Sequence, residues 1–502
     1  MCIRDSLSTV DALHRGRQPF AVQERTLAGA VRTVEEAATK KARAENPASE
    51  KRALNAEQQA ALKHITQGEG QIAVVSGVAG SGKTFLLQAA REAWEQEGYK
   101  VLGAAVAGKA ARGLQEGAGM DSFTLSRLLY EQKRGFDGAR GFDDGPDGKR
   151  KLAAEFKHAT WQIDGATRKK MLGEYHKPSS RFVHEWKYQT FQISEQRRDF
   201  LNNKLEYQNY QRDRQKCRID GKTVLVVDEA GMVGTRQMAA LVAAVKETGA
   251  KLVLVGDARQ IQPVEIGGPF RAIEERVGRA TLTSVIRQEI DKNDKNPLWK
   301  REAVEAFADG RAADALGAFR DRGFLKIADN REGAMRELMG AWRGVTGKGG
   351  TKSLSENLIF AGTRAEARDL NQMAQAARRE SGELGFRFVR VNGEVIHEKD
   401  RILITKNDRA LGVSNGDLGT VKRIELISQR MIVGLDGGRE ASVPYRDFQS
   451  MNLGYAITTH KGQGATVKNS FVLCGGTMAD REMSYVQASR ARKETHLSLI
   501  HI

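Results

Sequence analysis

Gly77-Val-Ala-Gly80-Ser-Gly82-Lys83-Thr84 follows a short apolar run and precedes a helical one, and its reading decides the fold. The spacing is G-x-x-x-x-G-K-[ST]: glycines let backbone N–H groups close around phosphates, a lysine reaches the β/γ oxygens, and a hydroxyl ligates Mg²⁺. A helix N-terminus directly after the loop adds a dipole that favours phosphate. Gly77, Gly80, Ser81, Gly82, Lys83 and Thr84 are therefore the candidate nucleotide-binding residues. A second string, Val224-Leu-Val-Val-Asp228-Glu229-Ala230, ends an apolar strand on two carboxylates. Neighbouring side chains at a strand end point in different directions, so Asp228 can hold Mg²⁺ through Thr84 or a water while Glu229 reaches the attacking water. The two strings together specify nucleoside-triphosphate chemistry.

Outward from the loop the grammar is βαβ. Residues 71–76 read as a strand, 84–97 as a helix and 100–105 as a second strand, which predicts a parallel sheet. The pattern resumes with the strand ending at Val227, a helix over 234–248 and a strand over 251–255. Gly256-Asp257-Ala-Arg-Gln260 ends that strand and places the Gln260 amide near the nucleotide, where it can sense the γ-phosphate. A second sheet-and-helix region opens at Glu356-Asn-Leu-Ile-Phe-Ala361 and its following helix, and returns at Leu453 to run to 495. Between them, over 386–450, short strands alternate with Asn-Gly and Asp-Gly-Gly turns, which predicts a small inserted SH3-like β-barrel.

The chain of 502 residues exceeds one hydrophobic core, and its net charge of +17 favours a polyanionic partner. No apolar run reaches membrane-spanning length, so a cytoplasmic protein is expected. Three cysteines without metal-ligand spacing exclude a disulfide framework or zinc site, and the nine histidines are scattered. Residues 1–6 and 497–502 resemble the translated ends of a sequencing-library transposon, so both are expected to lie outside the fold, leaving Cys217 and Cys474 as buried thiols. Residues 7–53 are polar and alanine-rich without a clear apolar stripe, which predicts a linker. The turn-rich residues 136–148 open an insertion expected to span 136–220. Its residues 149–220 hold 17 Lys/Arg against 9 Asp/Glu and 10 of the 32 aromatics, Trp161, Trp186 and Tyr188 among them. Such a segment suits a grip on single strands by charge and stacking, or equally a solvated helical hairpin packed on its own aromatics.

Several further strings, in order, carry a family resemblance. Leu54-Asn-Ala-Glu-Gln58 resembles the adenine-reading glutamine motif of superfamily 1 helicases. Ala105-Val-Ala-Gly108-Lys109 with Thr124-Leu-Ser-Arg-Leu128 resembles their first DNA-contact motif, and Ile286-Arg287-Gln288 a motif with a γ-phosphate arginine. Tyr455-Ala-Ile-Thr458-Thr-His460-Lys461-Gly-Gln463 and Tyr485-Val-Gln-Ala-Ser489-Arg490 resemble the last two motifs. Order and spacing are those of the RecD-like branch, and Asp228-Glu-Ala-Gly-Met-Val-Gly-Thr-Arg-Gln-Met238 with Gly416-Asp-Leu-Gly-Thr-Val421 looks like the helicase half of conjugative relaxases of the TraA and TraI type. The basic insertion is longer than that family leads one to expect, and the relaxase half itself has no counterpart here.

The resemblance implies two RecA-like parallel-sheet domains, residues 54–275 and 276–495, with ATP and Mg²⁺ between them. It implies an ATP-dependent helicase moving 5′ to 3′ on single-stranded or tailed duplex DNA, with other relaxosome proteins as partners. Gln58 would read adenine, Arg287 and Arg490 would meet the γ-phosphate, and Lys109, Thr458, His460 and Lys461 would contact DNA. A repair-type RecD-like helicase shares every motif. A non-catalytic DNA-binding scaffold predicts loss of Lys83, Glu229 or Arg490, all of which are present.

Overall fold

The computed structural model describes residues 3–14, 20–45, 52–137, 215–257, 259–260, 268–288, 294–347, 354–408, 411–475 and 480–500. In chain order the first part carries α1 (Ile3–His14), α2 (Glu24–Glu45), α3 (Ala56–Gln67), β1 (Ile72–Gly77), α4 (Lys83–Gln96), β2 (Lys100–Ala105), α5 (Gly108–Ala118), β3 (Asp121–Thr124), α6 (Leu125–Asp137), β4 (Thr223–Asp228), α7 (Thr235–Thr248), β5 (Lys251–Gly256), α8 (Pro269–Val277) and β6 (Ala280–Leu282). Its six strands form one parallel sheet in the order β3-β2-β4-β5-β1-β6. Strands covered on both faces must be apolar throughout, and β1, β4 and β5 are buried along almost their whole length. Because β4, β5 and β1 are neighbours in parallel, the phosphate loop, Asp228 and Asp257 all emerge at the carboxyl ends of adjacent strands.

Local signals set the helix ends. Asn55 caps α3 through a capping box with Gln58, and Thr363 does the same with Glu366 on a later helix. Gly249 closes α7 with φ 73°, a left-handed turn that a side chain disfavours.

The second part runs α9 (Trp299–Ala308), α10 (Ala312–Asp321), β7 (Leu325–Ala328), α11 (Arg331–Thr346), β8 (Asn357–Ala361), α12 (Arg364–Glu380), β9 (Phe388–Val391), β10 (Glu394–His397), β11 (Arg401–Ile404), β12 (Leu418–Glu425), β13 (Arg430–Leu435), β14 (Glu440–Pro444), β15 (Met451–Leu453), β16 (Ala456–Thr458), β17 (Val467–Cys474), α13 (Arg481–Ala488) and β18 (Ala491–Ile500). A second parallel sheet has the order β16-β8-β17-β18-β7. The interrupting segment forms an antiparallel hairpin, β9 with β10, and a five-stranded antiparallel sheet in the order β14-β13-β12-β11-β15. This sheet buries Ile402, Val421, Met431 and Val443 in its own apolar cluster. Among the described residues no ladder joins β14 to β15, so where a small SH3-like barrel is expected the strand pairing shows an antiparallel sheet beside a hairpin.

Four expectations about organisation are corrected. Residues 7–53 are not a bare linker: Leu27, Ala30 and Val34 on α2 lie in the core beneath α4 with Leu86, Ala90 and Trp94. Alanine masked that stripe, since it counts as a helix former whether buried or exposed. The first domain does not stop at 275, because β6 completes its sheet beside β1. Residues 497–500 are not outside the fold: Leu497 is buried, and the strand pairs Leu497–Ile500 with Leu325–Ala328. Residues 126–220 form a separate compact unit that starts ten residues before the expected insertion at 136. Within that unit α6 donates from Gln132 Nε2 to the Cys217 carbonyl at 3.0 Å, and Leu128 and Cys217 are buried. Trp161, Trp186 and Tyr188 lie outside the described residues, as does most of the basic segment.

Among the described residues no helix is long and apolar enough to cross a membrane. Cys217 is buried as expected and Cys474 only half-buried, neither in a disulfide among the described residues, and desolvation pushes the Cys474 thiol up to about 12.

Candidate functional site

The turn from β1 into α4 works only with glycine at two places. Gly80 and Gly82 have φ of 83° and 80°; a Cβ on Gly80 would come within 2.4 Å of Arg287 Cβ, and one on Gly82 within 2.4 Å of Gln58 Nε2. The loop therefore lets two neighbours approach its backbone. Lys83 Nζ donates to the carbonyls of Gly77 at 2.6 Å and Val78 at 3.1 Å. An ammonium has three hydrogens, so one remains for a phosphate oxygen. The Ser81 hydroxyl is buried and has no hydrogen-bond partner among the described residues.

Opposite the loop, Glu229 sits at φ 52°, ψ 40°, a left-handed conformation uncommon for a branched-free acidic side chain outside turns. Its N–H donates to Asp228 Oδ1 at 2.9 Å. Burial and the adjacent Glu229 charge push the Asp228 carboxyl up to about 6, against the pull of Lys83. A divalent cation would relieve this crowding of two carboxylates. Among the described residues no three His, Cys, Asp or Glu side chains converge on a metal position. One carboxylate plus the Thr84 hydroxyl and substrate phosphates is nonetheless the donor set Mg²⁺ takes in phosphoryl-transfer sites.

Lys83, Thr84, Asp228, Glu229, Gln260, Arg287 and Arg490 line one cavity of about 490 Å³. Gln260 is held by its amide to Asp257 Oδ2 at 3.2 Å. Arg287, just past β6, donates to the Ser489 carbonyl at 2.9 Å. Burial and the neighbouring Arg490 lower the Arg287 guanidinium to about 9. Arg490, which follows α13, is 2 % exposed and donates to the carbonyl of Val486 at 2.8 Å and the hydroxyl of Ser489 at 2.8 Å. Its pKa is lowered by burial, with Glu229, Tyr485 and Asp257 opposing that effect. Two guanidinium groups and an ammonium around a desolvated cavity fit a polyphosphate, whose charge would offset their mutual repulsion.

Two sequence expectations come out differently. Gln58 does not line the cavity; its Nε2 donates to the Ser81 carbonyl at 2.9 Å and its Oε1 accepts from Asn55 N at 3.0 Å, so it braces the phosphate loop from behind. Arg52, which no motif singled out, lines the cavity instead. Lys109, expected among the DNA contacts, lies at the cavity wall on α5, with burial lowering its pKa and Asp436 and Asp417 of the antiparallel segment opposing that effect. Arg112, one turn on, makes a bidentate pair with Asp417. Thr458 ends β16 opposite Ala361, and His460 and Lys461 follow in the next turn; none of the three reaches the cavity. Lys461 is held below its ordinary pKa by burial and by Arg364.

The geometry also reveals a contact the motifs did not announce. Tyr485, which the sequence offered only as the first residue of the Ser489-Arg490 motif and without a role of its own, reaches from α13 to Asp257 and to the phosphate loop.

Compared with known families, residues 53–330 match the family described as "AAA domain". The chain is 33 % identical over 447 residues to a probable conjugal transfer protein TraA of Sinorhizobium fredii and 34 % over 450 residues to conjugal transfer protein TraA of Agrobacterium fabrum, covering 88 % of this chain and 32 % of each relative. It thus spans about a third of the length of these relatives. The ATP-dependent RecD2 DNA helicase of Deinococcus radiodurans is 31 % identical over 272 residues, covering 54 % of this chain and 35 % of that one. Among solved structures, Bacteroides Pif1 bound to single-stranded DNA aligns with TM-score 0.48 at 17 % identity, over 88 % of this chain and 92 % of the other.

Proposed function

We propose that this chain, which belongs to the AAA domain family whose match covers more than half its length, is an ATP-dependent single-stranded DNA helicase and the motor portion of a conjugative relaxase. The observation that carries the reading is the shared cavity: Lys83 on the first sheet's loop and Arg490 after the second sheet's α13 line the same walls. A site built from both halves couples their separation to the state of the nucleotide, and alternating grip on DNA turns that movement into a step.

In this reading the N–H groups of the phosphate loop and the third hydrogen of Lys83 hold the ATP phosphates. Glu229 takes the proton of the attacking water, and Arg287 and Arg490 stabilise charge developing on the γ-phosphate. Thr84 and Asp228 would hold Mg²⁺, which would supply neutralisation of phosphate charge. Gln260 reports loss of the γ-phosphate. Lys109, Thr458, His460 and Lys461 carry the DNA contacts, and the two parallel sheets are RecA-like domains meeting after β6. The antiparallel segment is read as SH3-like, and the protein as cytoplasmic, working beside other relaxosome proteins. Match to TraA over 88 % of the chain, against 54 % for the repair-type RecD2 helicase, favours the conjugative assignment.

The test is unwinding of partial duplexes. A substrate with a 5′ single-stranded tail is unwound in the presence of ATP and Mg²⁺, and one with only a 3′ tail is not. Unwinding of the 3′-tailed substrate alone would remove the assignment.

A further inference from the structure

Tyr485 projects from α13 of the second sheet's domain and is 1 % exposed. Its hydroxyl accepts from the Ala79 N–H of the phosphate loop at 2.7 Å and donates to Asp257 Oδ2 at 2.7 Å. The same Oδ2 receives the Gln260 amide at 3.2 Å, and Oδ1 receives the Arg259 N–H at 3.0 Å. One phenol thus joins three structures: the phosphate loop, the end of β5 and α13. The surroundings are dry, since Ala79 is packed into the second domain's apolar cluster together with Tyr485, Val486 and Phe360. Hydrogen bonds in such a place are strong and costly to leave unmade. Burial and the Asp257 carboxylate both push the phenol pKa up, so it stays protonated and keeps its donor.

Ser489 lies one helical turn beyond Tyr485 and donates its N–H to the Tyr485 carbonyl at 3.0 Å. Its own carbonyl is the acceptor for Arg287. The helix is therefore held to the first domain at two points of one face, and Arg490 follows immediately.

The geometry points to Tyr485 as a positioning residue that fixes Gln260 and Arg490 relative to the phosphate loop; this rests on the ATPase reading of the cavity. Tyr485 touches no reacting atom. Its role is to hold the sensing amide and the guanidinium in register across the two domains, so that removing the hydroxyl impairs turnover and not nucleotide affinity.

The experiment compares the full chain with Tyr485→Phe, Asp257→Asn and the double variant. Tyr485→Phe keeps the ring in its apolar pocket. It is expected to lower the DNA-stimulated kcat at least about tenfold, equivalent to about 1.4 kcal/mol, with KM for ATP within about threefold. The double variant is expected to be no worse than the poorer single one, because both break one chain of hydrogen bonds. Amide hydrogen exchange of the phosphate-loop peptide, measured without nucleotide, is expected to be faster in Tyr485→Phe, since Ala79 loses its acceptor. This second measurement needs no catalysis, so it decides the bridge even where the wild type fails to hydrolyse ATP and the function reading falls. Wild-type exchange in Tyr485→Phe, or kcat within twofold of an active wild type, overturns the inference.

Discussion

The Arg287 guanidinium donates to the Ser489 carbonyl at 2.9 Å, so the residue preceding Arg490 is gripped by the first domain while Arg490 itself is bound to its own helix. Both arginines face the cavity, yet among the described residues neither is paired with a carboxylate by a hydrogen bond. Their positions explain why desolvation lowers both: the two cations are buried on one wall of the cavity.

Replacing Arg490 with alanine is expected to reduce kcat for DNA-stimulated ATP hydrolysis by about 10³-fold or more, the range seen when an arginine finger is withdrawn. ATP affinity, measured with a fluorescent nucleotide, changes little because the phosphate loop is untouched. Near-normal kcat would show that the guanidinium only packs against Val486 and Ser489.

Lys83→Ala and Glu229→Gln separate binding from chemistry. The first is expected to weaken nucleotide binding and abolish hydrolysis. The second is expected to retain binding and lose about 10²- to 10⁴-fold in kcat, the usual share of a general base. Single-turnover hydrolysis with equilibrium binding on the same preparations distinguishes them, and normal hydrolysis in both moves the site elsewhere.

Asp228 supplies a pH signature. Its carboxyl titrates near 6 in the fold against an ordinary 3.8, so the folded state binds the proton more tightly than the unfolded one. Stability contributed by this group therefore falls as pH rises from about 4 to about 6 and stays low above it. Asp228→Asn is expected to melt higher than wild type at pH 8 without Mg²⁺, with the difference shrinking toward pH 4. An equal difference at both pH values would mean that the shift is absent.

Lys251, at the start of β5, is fully buried with no hydrogen-bond partner for its ammonium among the described residues. Burial lowers its pKa from 10.5 to about 7. Here the unfolded state binds more protons between those values, so stability rises with pH from about 7 to about 10. Lys251→Met is expected to raise the melting temperature at pH 6.5 and to flatten that dependence; thermal melts across pH 6.5–9.5 check it.

Much of the site was legible because its chemistry is local in sequence. The phosphate loop, the Asp228-Glu229 pair and Gln260 each ride on a strand end, and alternation of apolar strand with helix predicted the parallel sheet that gathers them. Arg287 and Arg490 were legible only through motif order, since an arginine looks the same in sequence whether solvated or turned inward. For Gln58 the sequence offered a nucleotide-binding role by resemblance, while its capping role and its reach to Ser81 were not legible because they depend on how α3 packs. Tyr485 was invisible as a bridge: its two partners, Ala79 and Asp257, are hundreds of residues away, and no local pattern encodes a hydroxyl's destination. The same holds for β18, whose terminal residues look foreign as sequence yet satisfy the sheet's geometry.

That strand has a consequence for biogenesis. β18 is inserted between β17 and β7, so β7 stays without its neighbour until residues 491–500 have left the ribosome. The six strands around the phosphate loop are complete by residue 282 and can assemble while translation continues. A nascent chain therefore passes through an interval with the first sheet able to form and the second still an open edge, a window in which an unpaired strand is exposed to aggregation and to chaperones.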